Sequence, residues 1–280
     1  MDTALLFGCD FSCAPTSRKP IVIASGCVGR TGEASSLVLK KLQRFTTLDA
    51  WAGWLQSEPA WIGGFDFPFG LPRELVEHLD WPRQWNALIA HYASLSRAEI
   101  RTIFANFCAA RPVGGKFAHR ATDAPAGSST SMKWVNPPVA FMLHAGVPPL
   151  LAAGASLPGL HVGSNRNRVA LEAYPGLLAR ELIGRRSYKS DETAKQTPER
   201  LAARTSLVAA LEAGTTRLGI RLVLTDAQRA ELLGDARGDD VDAVLCLLQA
   251  AWSAQRASSP GPGFGLPERF DPIEGWIVTA

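Results

Sequence analysis

The chain has 280 residues, 46% hydrophobic and 20% charged, the profile of an ordinary globular protein, which excludes a disordered or low-complexity one. Lys plus Arg number 29 against 26 Asp plus Glu, a net charge of +3, so bulk charge neither demands nor forbids a nucleic-acid partner. Five scattered cysteines without a C-x-x-C pair read as reduced core residues rather than a disulfide framework or a thiolate metal site.

In chain order, Leu5 to Phe11 is a short apolar run ending at an acid and reads as a buried strand. Ile21–Val28 and Ser36–Phe45 follow as two more strands, separated by polar turns at Ser12–Pro20 and Gly29–Ala34. The period then changes. Leu48, Trp51, Ala52 and Leu55 lie on one helical face from Thr47 to Glu58, and Pro59 ends that helix. Trp61–Phe67 is a fourth strand, and Asp66 sits at its end. Residues from about 75 to 164 break the rhythm and read as an insertion or cap on a single domain. Helical spacing runs from Arg83 to Phe107, then a Gly/Ser/Pro-rich stretch from Arg111 to Pro138. Arg168–Tyr174 resumes as a strand. Helices are expected at Gly176–Gly184, Gln196–Gly214 and Asp226–Leu233. The clearest helix places Val241, Val244, Leu245 and Leu248 at i, i+3, i+4 and i+7, and Gly275–Ala280 suggests a terminal strand. Three meandering strands followed by alternating helices and strands predict an α/β fold: a mixed sheet of three antiparallel strands followed by parallel ones, flanked by helices, with a largely helical insertion.

Four acids stand out against this frame. Asp10 and Asp66 close strands, where functional groups of open α/β sheets gather. Asp239 and Asp242 are three residues apart at the start of the last helix, on one face, opposite Val241, Val244 and Leu245, so that they point outward. Such a cluster suits phosphodiester hydrolysis, in which two divalent cations about 3.5–4 Å apart activate water and stabilise the leaving oxygen. Close carboxylates also need a cation to offset their repulsion. Each acid has a local alternative: Asp239 or Asp240 as a helix N-cap, Asp66 in a turn before Pro68. Asp10, closing an apolar strand, is costly if buried without a partner.

The segments GCDFSCAP, GGFDFPFGLP, KWVNPP, LEAYPG, RSYKSD, GDDVDA and IEGWI together resemble a family of predicted nucleases with a ribonuclease-H-like fold, across nearly the whole chain. The i, i+3 acid pair in the last helix is similar to that of Holliday-junction resolvases. The resemblance implies a ribonuclease-H-like mixed sheet, with Asp10 as the first-strand metal ligand, Asp66 as the fourth-strand acid and Asp239 and Asp242 as the helix pair. Asp66 departs from the resolvases, which usually carry Glu there. Glu172 in LEAYPG reads either as an extra metal-binding acid or as a structural partner. Lys189 in RSYKSD reads either as a contact to substrate phosphate or as a surface-loop residue.

The leading expectation is a metal-dependent nuclease. Asp10, Asp66 and Asp242, with Glu172, would hold Mg2+ or Mn2+, Asp239 would assist, and a bound water would be the nucleophile. From Leu160 to Arg204 there are nine basic residues against five acidic ones. That excess reads either as a solvated helix face or as a phosphate-binding surface. In the latter case Arg180 to Arg204, with Arg185, Arg186 and Lys189, and the inserted Lys116, Arg120, Lys133 and Trp134 would hold DNA or RNA, Trp134 reading equally as a core residue. The competing classes are an ATP-dependent phosphotransferase of the actin-like and sugar-kinase type, for which no phosphate loop is found, and a binding module without turnover. The resolvase resemblance is compatible with a homodimer. No run approaches the ~20 apolar residues of a membrane helix, and Asp2 and Asp10 interrupt any signal-peptide pattern, so a soluble cytoplasmic protein without a membrane partner is expected.

Overall fold

Alternation along β1 (Leu5–Asp10) sets the layers of the molecule. Phe7 and Cys9 project to one side, into an aromatic core with Trp51, Trp61 and Phe65. Leu6 projects to the other side, into an aliphatic core with Val241, Val244 and Leu248, as period-two side-chain placement requires. The computed structural model describes residues 4–31 and 34–280.

β2 (Ile21–Thr31) pairs antiparallel with β1, and β3 (Ala34–Phe45) antiparallel with β2. Both strands are longer than the sequence pattern suggests, and the tip of their hairpin lies outside the described residues. α1 (Leu48–Ser57) starts where the Thr47 hydroxyl accepts from the Ala50 N–H at 3.2 Å. It returns the chain to β4 (Trp61–Phe65), which lies parallel to β1.

Between β4 and the next strand come five helices: α2 (Arg73–His78), α3 (Trp85–Ser94), α4 (Arg97–Ala109), α5 (Asp123–Ala126) and α6 (Val139–Ala152). The continuous helix expected from Arg83 to Phe107 is two helices. Ser96 and Glu99 form a reciprocal capping box that begins α4 afresh after an extended Leu95. The sequence pattern also missed α6. It contains Pro148 and Pro149 and is apolar almost all round, so it carries no amphipathic period. Residues of α2, α3, α4 and α6 share one continuous core with β1 and β4.

β5 (Arg168–Glu172) pairs parallel with β4. α7 (Pro175–Ile183), with Pro at its first position, and α8 (Pro198–Ala213) follow on the opposite face; a 3-10 turn at Thr193–Lys195 separates them. β6 (Ile220–Val223) adds to β3 in parallel. Its four residues, with Arg221 exposed, were too few to show in the pattern. α9 (Asp226–Gly234) begins with a Thr225–Gln228 capping box, and α10 (Asp239–Ala254) closes the fold. The six-stranded sheet has the order β5-β4-β1-β2-β3-β6. It is a mixed α/β architecture, antiparallel strands then parallel ones between helices, compatible with a ribonuclease-H-like fold. The strand expected at Gly275–Ala280 does not form. Left-handed backbone at Gly275 and Thr279 breaks the extended run, although the Val278 N–H still donates to the Glu172 carbonyl at 2.8 Å. No helix among the described residues is long and apolar enough to cross a membrane.

α10 is the central helix rather than a half-exposed one. Fourteen of its residues are buried, because it lies directly on β1 and β4. Gly8 and Gly64, paired in register, make that approach possible. A Cβ on Gly8 would stand 2.0 Å from the Leu247 nitrogen, and one on Gly64 would stand 2.6 Å from the Cys246 carbonyl oxygen. The two glycines form a trough that fixes the helix over the strands.

A candidate metal centre at the strand ends

The position of α10 decides the site. Gly8 and Gly64 face it, so by alternation Asp10 and Asp66 face it two residues later. Register pairs Cys9 with Phe65, and the Asp66 N–H donates to the Cys9 carbonyl at 3.0 Å, which brings Asp10 and Asp66 side by side. α10 starts above these strand ends and delivers Asp242 from its first turn. The three carboxylates offer oxygens that all lie within 4.8 Å of one another. Asp10 is 8% and Asp242 0% exposed, whereas Asp66 is half-buried.

Electrostatics identify the cluster as an unsatisfied set of like charges. Burial, then the charges of Asp242 and Asp239, push the Asp10 carboxyl well above the ordinary range. Burial and Asp242 push Asp66 up to about 7. Two neighbours partly offset the charge. The Tyr188 hydroxyl donates to Asp242 Oδ1, and the Lys189 ammonium is ion-paired with Asp242 Oδ2. Burial opposes the Lys189 charge, but Asp242, Tyr188 and Asp10 more than offset it and raise its pKa. One ammonium among three carboxylates leaves the cluster short of positive charge.

The donor set fits a hard divalent cation. All-oxygen carboxylate sites suit Mg2+ and Mn2+, and Mg2+ keeps several waters beside one or two carboxylates. Soft-metal ligation has no support here. Burial pushes the Cys9 and Cys246 thiols well above their ordinary pKa, and metal binding needs the thiolate.

Of the expected site residues, the structure brings together Asp10, Asp66 and Asp242. Asp239 is buried at the first position of α10, with burial, then Asp235, raising its pKa to about 6. It belongs to the rim and is not one of the three converging acids. Neither Asp239 nor Asp240 caps α10. Gly238, with φ 78°, is the N-cap, and Asp235 accepts from the Asp240 N–H at 2.9 Å. Asp240 instead pairs with Arg44 of β3 at 2.6 Å. Nor do the acids point outward as the helical wheel implied: Asp239 and Asp242 are both buried.

Glu172 is held as a structural partner and is not among the three converging acids. Its two oxygens accept from Arg120 at 2.7 and 2.9 Å, and the second also accepts from the Phe69 N–H at 2.9 Å. Arg120 also pairs with Asp123, so its charge is tied internally although it lines the cleft. Arg204 is likewise committed, to the carbonyls of Leu233 and Tyr188. Lys189 is in the cluster itself rather than in an independent surface loop.

A cleft of about 440 Å³ opens in front of Asp66 and Lys189. Arg186 lines it; Arg185 and Lys133 do not. Trp134 is partly buried against Phe117, with ring centroids 5.9 Å apart. Tyr188, Tyr174 and Lys19, which the sequence pattern does not single out, also border the cleft. Tyr188 stands beside Lys189 in the RSYKSD segment, and that adjacency was the available signal.

Sheet order and a carboxylate cluster at the C-terminal ends of β1 and β4 define a mixed α/β protein with a candidate metal centre. The chain belongs to the family described as protein of unknown function (DUF429), whose model matches residues 22–263. No curated protein and no solved structure matches it.

Proposed function

We propose that the protein is a metal-dependent nuclease that hydrolyses phosphodiester bonds of DNA or RNA. The observation that carries this reading is the convergence of Asp10, Asp66 and Asp242 within 4.8 Å beside a cleft that Asp66 lines together with Lys189, Arg180 and Arg186. Asp10, Asp66 and Asp242 would hold Mg2+ or Mn2+, and Asp239 would add negative charge from the rim. Bound there, the metal would polarise a phosphoryl oxygen and lower the pKa of a water. Tyr188 holds Asp242 in place through its hydroxyl. Lys189 partly offsets the charge of the cluster through its ion pair with Asp242 and also lines the cleft, where it would face a substrate phosphate. A nucleic acid would meet a cleft with cations on its wall and Asp66 among its lining, a polarity that would orient a phosphodiester toward the carboxylates.

The test is cleavage of labelled DNA, RNA, hybrid and four-way-junction substrates in magnesium or manganese, with Asp10→Asn run in parallel. Metal-dependent cleavage that disappears in Asp10→Asn is the expected result. A folded wild type that cuts none of these substrates in either metal rejects the nuclease reading.

A further inference from the structure

With the acid cluster taken as the hydrolytic centre proposed above, the cleft also restricts what can reach it. Its volume, about 440 Å³, falls within the roughly 300–1,000 Å³ of sites that enclose small molecules. Pro137, Val139 and Met142 border it, with Tyr174 and Pro175 at the start of α7. Asp10 and Asp242 are 8% and 0% exposed, and of the three acids only Asp66 lines the cleft. A phosphate in an intact duplex carries its paired neighbours with it and is held away from such a floor.

The charges on the wall agree with this. Arg120 is committed to Glu172 and Asp123, Lys19 to Asp191 at 2.6 Å, and Lys189 to Asp242. Arg180 and Arg186 have no carboxylate partner among the described residues. Arg180 donates to the Ala126 carbonyl at 2.6 Å and Arg186 to the Ile183 carbonyl at 3.2 Å. Two uncompensated guanidiniums therefore face the cleft. Arg180 also lies 5.3 Å from the ring centroid of Tyr174, an aromatic–guanidinium pair of the kind on which unpaired bases stack without sequence preference.

We propose that the substrate is single-stranded nucleic acid, admitted about one nucleotide at a time, with a base against Tyr174 and flanking phosphates on Arg180 and Arg186. The test is fluorescence anisotropy of the full chain with labelled single-stranded DNA, single-stranded RNA and blunt duplexes of each, in calcium, across a salt series. Single strands bind at least about tenfold tighter than duplexes. Tyr174→Ala weakens strand binding by about tenfold. Arg180→Ala and Arg186→Ala each weaken it and lower the slope of log affinity against log salt by about 0.7. Comparison of the DNA and RNA arms identifies the sugar. Equal or tighter binding of blunt duplex, or variants that leave strand affinity and salt slope unchanged, overturn the proposal. Strand binding of the expected kind without cleavage in magnesium or manganese removes the nuclease reading and leaves the strand site standing. Cleavage within duplexes, with no preference for single strands, does the reverse.

Discussion

Asp66 is the residue whose charge state reports on the site. Burial and Asp242 raise its pKa to about 7, against about 3.9 for a free Asp. Between these values the folded protein holds a proton that the unfolded chain has released. Its stability therefore falls as pH rises from about 4 to about 7. On the proposed reading, a divalent cation would bind the ionised folded cluster and restore what is lost. Thermal unfolding in a chelator should show a melting temperature that declines across this window, a decline shallower in Asp66→Asn and offset by manganese in the wild type. A melting temperature that rises over the same range would contradict the raised pKa. Lys189 is the other diagnostic residue, because its ammonium occupies the charge position a metal would neutralise. Lys189→Ala should tighten manganese binding about tenfold by calorimetry, a figure discounted for the solvent that reaches its side chain. It should also lower the melting temperature of the metal-free protein. Weakened binding would mean that Lys189 positions Asp242 rather than competing for it.

At the scale of the element, α10 and the glycine trough beneath it form one device. A methyl group at Gly8 meets the backbone of Leu247 and Ala243 at 2.0 and 2.2 Å, and backbone cannot step aside as a side chain can. Gly8→Ala should cost about 3 kcal/mol in urea denaturation, the upper end of overpacking. It should also weaken metal binding, since lifting α10 carries Asp242 away from Asp10. The sequence displayed the acids and the helix that bears two of them. It did not display how deeply that helix is buried. The i, i+3, i+4 stripe reads as one apolar face, whereas Ala243 and Ala250 on the opposite face are fully covered too. Small residues carry little periodic signal although they permit the closest packing.

Across the whole molecule, the Arg120 network joins parts of the chain that are remote in sequence. Arg120 and Asp123 come from the segment between β4 and β5, Glu172 ends β5, and the Arg120 guanidinium also donates to the Glu274 carbonyl at 3.1 Å. Arg120 is 3% and Glu172 3% exposed, so removing one partner strands a buried charge. Arg120→Met should destabilise the protein by about 3–5 kcal/mol in chemical denaturation. Glu172→Gln should leave manganese affinity unchanged while lowering stability. A large loss of metal affinity in Glu172→Gln would return that residue to the metal centre.

Sequence alone determined the strand-end acids, the change from meander to alternating helices and strands, and the acid pair opening the last helix. These are local properties, set by side-chain period, by capping chemistry and by the cost of an acid in an apolar run. Only the tertiary structure decided which acids meet. Asp10 and Asp66 converge because β1 and β4 are parallel neighbours in a register that sequence spacing does not encode, and Asp242 joins them because two glycines let α10 lie on the sheet. Glu172 was separated from them by a partner, Arg120, fifty-two residues away. Ion pairing at that separation depends on how the chain packs, and no local pattern records it.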